Sequence, residues 1–372
     1  MKALFYRVFA LLFHLSRLLF PVKPNRVVFL SLHNEGFHDS LGAVSRAGMA
    51  DGRFAVRVLT RRDLDGLRGA LRFFFVASRV LATAQYIFLN DNFLPLGLLR
   101  FQKGVVITQL WHAEGVFKKF GLAIDRPPAV RARECAANQK LTWVVCSSED
   151  VAPYYAEAFG VPESKVLPLG APRLDALLAP GASERARAKL CEQYPELRGK
   201  TLVLYAPTFR ETAAQNDALL TQFDAARFNA ALGKTHALLI RLHPQVHPDR
   251  RALTGALDLT DFDDVSLLIA ACDVLVTDYS SICMAFAALG KPTVFYAFDL
   301  DRYTSERDFY FDYADYVPGP VVTDFDALLD AIKAPGGAEK RDRFVRFNFG
   351  VPDAGSTRRV VDRVLGTMEN EE

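Results

Sequence analysis

The chain has 372 residues, 50% hydrophobic and 24% charged, with a formal net charge of +2. It is long for one α/β domain and comfortable for two, and the composition is that of a globular protein with large cores. The near-neutral balance argues against a nucleic-acid-binding surface. The five cysteines at 135, 146, 191, 272 and 283 lack CxxC or Cys/His ligand spacing, which argues against a disulfide frame or a zinc site.

Residues 1–34 hold no Asp or Glu but carry Lys2, Arg7, Arg17, Lys23 and Arg26 among Leu4, Phe5, Val8, Phe9, Leu11, Leu12, Phe13, Leu15, Leu18, Leu19 and Phe20. At 100° per residue Arg7, His14 and Arg17 share roughly one quarter of a helical wheel, and apolar residues fill most of the rest. Those three side chains interrupt the apolar core that a signal peptide needs. The run before Pro21 is also short for a transmembrane span. Residues 1–23 are therefore expected to form an amphipathic helix lying in the membrane surface, its basic edge toward anionic headgroups. The competing expectation is a first helix packed on the protein core.

After Pro24, strands and helices alternate. Strands are predicted at Val27–Ser31, Phe54–Leu59, Tyr86–Leu89, Val105–Trp111 and Leu141–Cys146, the last ending at Ser147 and Ser148, with a helix over Leu67–Leu81. The segment Leu178-Ala179-Pro180-Gly181-Ala182-Ser183 is punctuated like a linker, with Ser183 opening a charged helix. A second series follows, with strands at Thr201–Tyr205, Ala237–Leu242, Val274–Thr277 and Thr293–Tyr296. The helix Ile282–Gly290 comes after the third of these. The predicted domains are 24–178 and 179–365, each a parallel sheet covered on both faces, followed by a solvated tail at 366–372. Two such units with a hinge near residue 180 would leave an interdomain cleft for a ligand.

Polar groups stand where the predicted strands run out, the usual place for ligands in open α/β sheets. They are His112, Pro207 with Thr208, Arg241 with His243, and Ser280 with Ser281. Arg241 offers a fork of donors suited to phosphate oxygens, and His243, two residues on, lies on the same side of an extended chain. Two hydroxyls before a helix start also suit a phosphate, although Ser280 is equally read as a plain helix cap. His112 has no Arg beside it. An imidazole of ordinary pKa there suits a base for an acceptor hydroxyl, and a structural histidine is the plainer alternative. No GxGxxG, Walker or HExxH pattern occurs, against dehydrogenase, ATPase and zinc-protease readings.

Several runs resemble the CDP-glycerol glycerophosphotransferases, the membrane-associated enzymes of teichoic acid synthesis. They are Gln109-Leu110-Trp111-His112-Ala113-Glu114-Gly115-Val116-Phe117-Lys118-Lys119-Phe120-Gly121, Leu169-Gly170-Ala171-Pro172-Arg173-Leu174-Asp175 and Leu204-Tyr205-Ala206-Pro207-Thr208-Phe209-Arg210. Further on come Arg241-Leu242-His243-Pro244, Thr277-Asp278-Tyr279-Ser280-Ser281, Phe295-Tyr296-Ala297-Phe298-Asp299-Leu300 and Phe309-Tyr310-Phe311-Asp312-Tyr313. The resemblance implies an α/β protein of GT-B type, two Rossmann-like domains facing a cleft: an N-terminal acceptor domain and a C-terminal CDP-polyol-binding domain. It implies transfer of glycerol phosphate from CDP-glycerol to a hydroxyl of a lipid-linked glycan acceptor, with release of CMP, at the cytoplasmic face of the membrane. It further implies that His112 is the general base, that Arg241 and His243 hold the donor phosphates, and that Arg173, Pro207, Thr208, Ser280 and Ser281 line the donor pocket. No cofactor or metal is expected.

Two departures from the family pattern bear on the substrate. Many relatives read His-Gly-Thr-Pro where this chain has His112-Ala113-Glu114-Gly115, and many carry an acid where Ala285 stands. These leave the reaction class intact and make CDP-ribitol the competing donor. A sugar-nucleotide glycosyltransferase on the same fold, and a catalytically silent glycan-binding protein, are the other readings. No role is assigned to Asp299, Arg307, Asp308 or Asp312.

Overall fold

A computed structural model describes residues 2–31, 39–60, 66–243, 246, 253, 255–306 and 308–366. Pro244, Arg307 and all of the expected tail beyond Gly366 lie outside the described residues. The chain divides into two compact units, Met1–Asp175 with Asp353–Glu372, and Ala176–Pro352.

The first unit is built on a six-stranded sheet in the order β2-β1-β3-β4-β5-β6. Its strands are β1 (Lys23–Ser31), β2 (Ala55–Thr60), β3 (Ala84–Leu89), β4 (Val106–Gln109), β5 (Trp143–Cys146) and β6 (Val166–Pro168). Every pairing is parallel. In β1 the run Val27-Val28-Phe29-Leu30 is fully or almost fully buried, as expected of a strand covered on both faces. The short β6 has no counterpart in the sequence reading. The helix α1 (Lys2–Leu19) packs on α3 (Gly66–Ala82) through the fully buried Phe9, whose ring meets Phe73 and Phe74, while the equally buried Phe13 meets Phe101. Between them in sequence, α2 (Ser40–Ala50) is N-capped by Asp39, whose Oδ1 accepts the Gly42 N–H at 2.9 Å.

The unit boundary differs from the one expected at 178 and 365. The final helix, Ser356–Leu365, packs with the first unit. The reason is its apolar stripe: Val360, Val361, Val364 and Leu365 join Val27, Phe29, Leu41 and Val44 in one buried cluster. The Asp175 carboxylate accepts the N–H groups of Ser356 at 3.1 Å and Thr357 at 2.7 Å, capping a helix that has no cap of its own.

The second unit carries another six-stranded sheet, in the order β12-β11-β10-β7-β8-β9. Its strands are β7 (Thr201–Tyr205), β8 (His236–Ile240), β9 (Leu257–Asp258), β10 (Val274–Thr277), β11 (Thr293–Tyr296) and β12 (Val321–Val322), again all parallel. Its core stacks Val203, Tyr205, Ile240, Val276 and Val294 against Phe223, Phe228 and Phe325. The charged helix begins at Ala182 after Gly181, whose φ of +70° is the left-handed region that glycine favours, so Ser183 sits inside its first turn.

Candidate active site

In the first sheet β1 is flanked by β2 on one side and β3 on the other, so the strand order reverses beside β3. Just past the end of β3 lie Asn90 and Asp91, and past the neighbouring β4 lie Trp111 and His112. β4 ends two residues earlier than expected because Trp111 takes φ +57°, the one positive value of a non-glycine residue among those described. Such a conformation costs a bulky side chain free energy and persists only where its surroundings hold it. Here the Trp111 N–H donates to Gln109 Oε1 at 3.0 Å, and the indole stacks on Phe120 at 5.3 Å and meets Phe159 edge-on.

That bend turns the His112 ring toward the end of β3. Its Nδ1 lies 3.1 Å from the Asn90 carbonyl oxygen and 3.1 Å from Asp91 Oδ1. The Nε2 edge makes no hydrogen bond among the described residues, and 42% of the side chain is exposed. Burial pulls the imidazole pKa down. The Asp91 hydrogen bond and charge, the Asn90 carbonyl and the Glu114 charge outweigh it, and the net shift is upward. The loop after His112 is pinned: Tyr155 donates its hydroxyl to the Ala113 carbonyl at 2.9 Å, and the Gly115 N–H donates to Ser147 Oγ at 3.1 Å. Glu114 is buried and faces Arg173 at 3.6 Å.

In the second sheet β7 has β10 on one side and β8 on the other, so the order reverses between β7 and β10. Adjacent parallel strands bring their carboxyl ends to one edge, about 5 Å apart. Pro207 and Thr208 follow β7, Arg241 and His243 follow β8, and Ser280 and Ser281 follow β10. Expected to reach Leu242, β8 ends at Ile240, although the Arg241 N–H still donates to the Tyr205 carbonyl at 2.9 Å. Arg241 Nη1 donates to the Thr260 carbonyl at 2.9 Å. The His243 ring lies 4.5 Å from that of Phe209, and burial, then the Arg241 charge, lower its pKa.

A buried ionic network holds this edge together. Arg210 Nη2 donates to Asp278 Oδ2 at 2.9 Å, and its Nε donates to Asp299 Oδ2 at 2.9 Å. The guanidinium lies over the Tyr279 and Tyr303 rings at 5.2 and 5.1 Å. Asp278 Oδ1 accepts the N–H groups of Thr208 at 2.7 Å and Tyr279 at 2.6 Å, so one carboxylate ties the loop after β7 to the loop after β10. Tyr279 donates its hydroxyl to Asp299, and Tyr313 donates to the Asp278 carbonyl. Burial pushes the Asp299 carboxyl up, but the bonds from Arg210, Arg302 and Tyr279 hold it below the usual range. On this frame the Thr208 hydroxyl is buried with no partner among the described residues. Ser280 Oγ accepts only a long bond from the Ile282 N–H, and the Ser281 side chain caps nothing.

Pro207, Thr208, Arg241, His243, Ser280 and Ser281 thus meet on one sheet edge of the second unit. His112 and Arg173 belong to the first unit, where Arg173 pairs with Glu114. Sequence reasoning missed Asp91, which the strand-end rule would have found, and gave no role to Arg210, Asp278 or Asp299. Their signal was a charge set within aromatic and apolar runs.

The family model for CDP-Glycerol:Poly(glycerophosphate) glycerophosphotransferase matches residues 11–366. The chain belongs to that family. It is 31% identical to the teichoic acid ribitol-phosphate primase of Bacillus spizizenii, over 95% of this chain and 94% of the relative. The teichoic acid poly(ribitol-phosphate) polymerase of the same organism is also 31% identical over 95% of this chain, which spans only 58% of that longer protein. The teichoic acid glycerol-phosphate primase of Bacillus subtilis is 28% identical over 71% of this chain and 70% of its own length. Among solved structures, a His-to-Asn variant of the wall teichoic acid polymerase TagF soaked with CDPG superposes with a TM-score of 0.81 at 20% identity, covering 99% of this chain and 94% of that one. A UDP-GlcNAc 2-epimerase from Neisseria meningitidis superposes with a TM-score of 0.58 at 13% identity, over 91% of this chain and 99% of that one. Two parallel six-stranded sheets on the TagF plan bear out the expected GT-B type α/β fold.

Proposed function

We propose that this protein transfers a polyol phosphate from a CDP-polyol to a hydroxyl of a lipid-linked cell-wall polymer precursor and releases CMP. The observation that carries the reading is the cluster of Thr208, Arg241, His243, Ser280 and Ser281 on one sheet edge, in a chain that matches its family over nearly its whole length. Arg241 and His243 hold the donor phosphates, and the hydroxyls of Thr208, Ser280 and Ser281 complete the pocket. His112 accepts the proton of the attacking alcohol through Nε2. The acceptor oxygen bonds to the phosphorus that carries the polyol as the P–O bond to CMP breaks. The leaving group is already a stable anion, so positioning and charge neutralisation carry the step.

Ribitol phosphate is the favoured cargo, because the ribitol-phosphate primase matches along 94% of its length at 31% identity. Glycerol phosphate is the second reading, supported by the family description and the glycerol-phosphate primases. Incubating the protein with CDP-ribitol or CDP-glycerol and a lipid-linked disaccharide tests this. CMP release from CDP-ribitol is expected to be the faster, and release from neither donor would refute the proposal.

The protein works at the cytoplasmic face of the membrane, bound to an anionic surface through α1 and α3. On α1 the residues Leu4, Val8, Leu11, Leu15 and Leu18 recur at spacings of three and four and stay exposed, Leu4 and Leu18 by 67% and 78%. Leu71, Phe75 and Val76 of α3 are exposed as well, and Arg7, Arg72 and Arg79 lie exposed on the same two helices. The expected basic edge is reduced: His14 reaches the Leu98 carbonyl and Arg17 donates to the Arg100 carbonyl. No helix among the described residues is long and apolar enough to cross a membrane. A patch of this kind suits a helix pair resting in the headgroup layer. Since burying a leucine stabilises by about 1.5–3 kcal/mol, Leu11→Asp with Leu15→Asp should cut binding to anionic vesicles by about tenfold or more in a sedimentation assay. Unchanged binding would contradict the assignment.

A further inference from the structure

The contacts of His112 fix a protonation pattern as well as a position. Its Nδ1 faces two acceptors, the Asn90 carbonyl and Asp91 Oδ1, each at 3.1 Å. A carbonyl and an ionised carboxylate only accept, so Nδ1 carries a hydrogen and the lone pair of the neutral ring sits on Nε2. The frame behind them is held by buried hydrogen bonds. Asn90 is fully buried and donates from Nδ2 to Asp39 Oδ2 at 2.5 Å, while the Asp39 Oδ1 caps α2. The left-handed Trp111 turns the imidazole into this frame, and the indole lies against it with centroids 4.0 Å apart.

We propose that Asp91 is the positioning residue of the reaction, holding His112 in its Nδ1–H tautomer and balancing the imidazolium that forms when Nε2 takes the acceptor proton. This deepens the proposed function and rests on His112 being its base. In the step, the alcohol O–H proton moves to Nε2, the new O–P bond forms, and CMP departs with the electrons of the broken P–O bond. The imidazolium then returns its proton to water. Of the described charged groups around the ring, Asp91 and Glu114 favour the protonated form, and Arg173 offsets Glu114 by pairing with it.

The sign of the pH effect follows. A base works when neutral, so activity rises with pH through the raised His112 value. Asp91→Asn removes the charge that raises it and moves the acidic limb to lower pH. Nitrogen-15 NMR of histidine-labelled protein reads this directly: the chain has seven histidines, and His112→Asn assigns the signal. In the wild type, His112 should titrate above the usual value of about 6.5 with Nδ1 protonated in the neutral form. Asp91→Asn should lower that value, loosen the tautomer and cut kcat about tenfold or more, with the KM for the CDP-polyol within about twofold. Asp91→Glu keeps the charge and should restore the titration. An unaltered His112 titration and tautomer in Asp91→Asn, with His112→Asn inactive, overturns the role of Asp91 alone. A fully active His112→Asn overturns this role together with the base reading.

Discussion

Arg210→Leu is expected to destabilise the second unit by about 3–5 kcal/mol and to abolish donor binding. The Arg210 side chain is 4% exposed and lies between the carboxylates of Asp278, 2% exposed, and Asp299, 8% exposed. Losing the guanidinium leaves the buried Asp278 carboxylate without its cation and leaves Asp299 only Arg302 and the Tyr279 hydroxyl. The same loss loosens the loops after β7 and β10, because Arg210 bridges them, donating from Nη1 to the Thr208 carbonyl at 2.6 Å and from Nη2 to Asp278 Oδ2. Asp299→Asn is expected to cost less, since Asp278 then still faces Arg210. The chain supplies its own reporter: both tryptophans, Trp111 and Trp143, lie in the first unit. In Arg210→Leu, far-ultraviolet circular dichroism should show an early partial transition while tryptophan fluorescence melts close to the wild type. Wild-type melting by both probes would contradict the network.

His112→Asn is expected to lower kcat by about 100- to 10,000-fold while the KM for the CDP-polyol changes little. The split follows from where the groups sit. The side chains proposed to hold the donor phosphates are carried by the second unit, and His112 by the first. The substitution removes the proposed proton acceptor and leaves the side chains of the second unit in place. A variant that raises KM and keeps kcat would instead make His112 a binding residue.

What the sequence makes legible is local. The continuous apolar runs of β7, β10 and β11 match the observed strands residue for residue, because strands buried on both faces need no alternation. The strand-end rule put Thr208, Arg241, His243, Ser280 and Ser281 on one edge for a topological reason: in parallel sheets those strand ends lie side by side. Long-range pairing stayed hidden. An arginine within an aromatic run reads as a surface residue until Asp278 and Asp299, distant in sequence, are seen against it. The left-handed Trp111 contradicts its local propensity and is held by Gln109, Phe120 and Phe159. The last helix reads as a continuation of the second series, since nothing local says that its valine stripe matches β1 and α2. On α1, helical periodicity distinguished a basic edge. Only tertiary packing, on Phe73 for Phe9 and on Phe101 for Phe13, showed that these two turn inward while the leucine stripe stays exposed.

The most direct measurement is turnover of CDP-ribitol, CDP-glycerol and UDP-sugars, each with a lipid-linked disaccharide acceptor, monitored by the nucleotide set free. A polyol-phosphate transferase liberates CMP and leaves the UDP-sugars intact. UDP formation without CMP would mean that the edge built by Arg241, His243 and the serine pair serves glycosyl transfer instead.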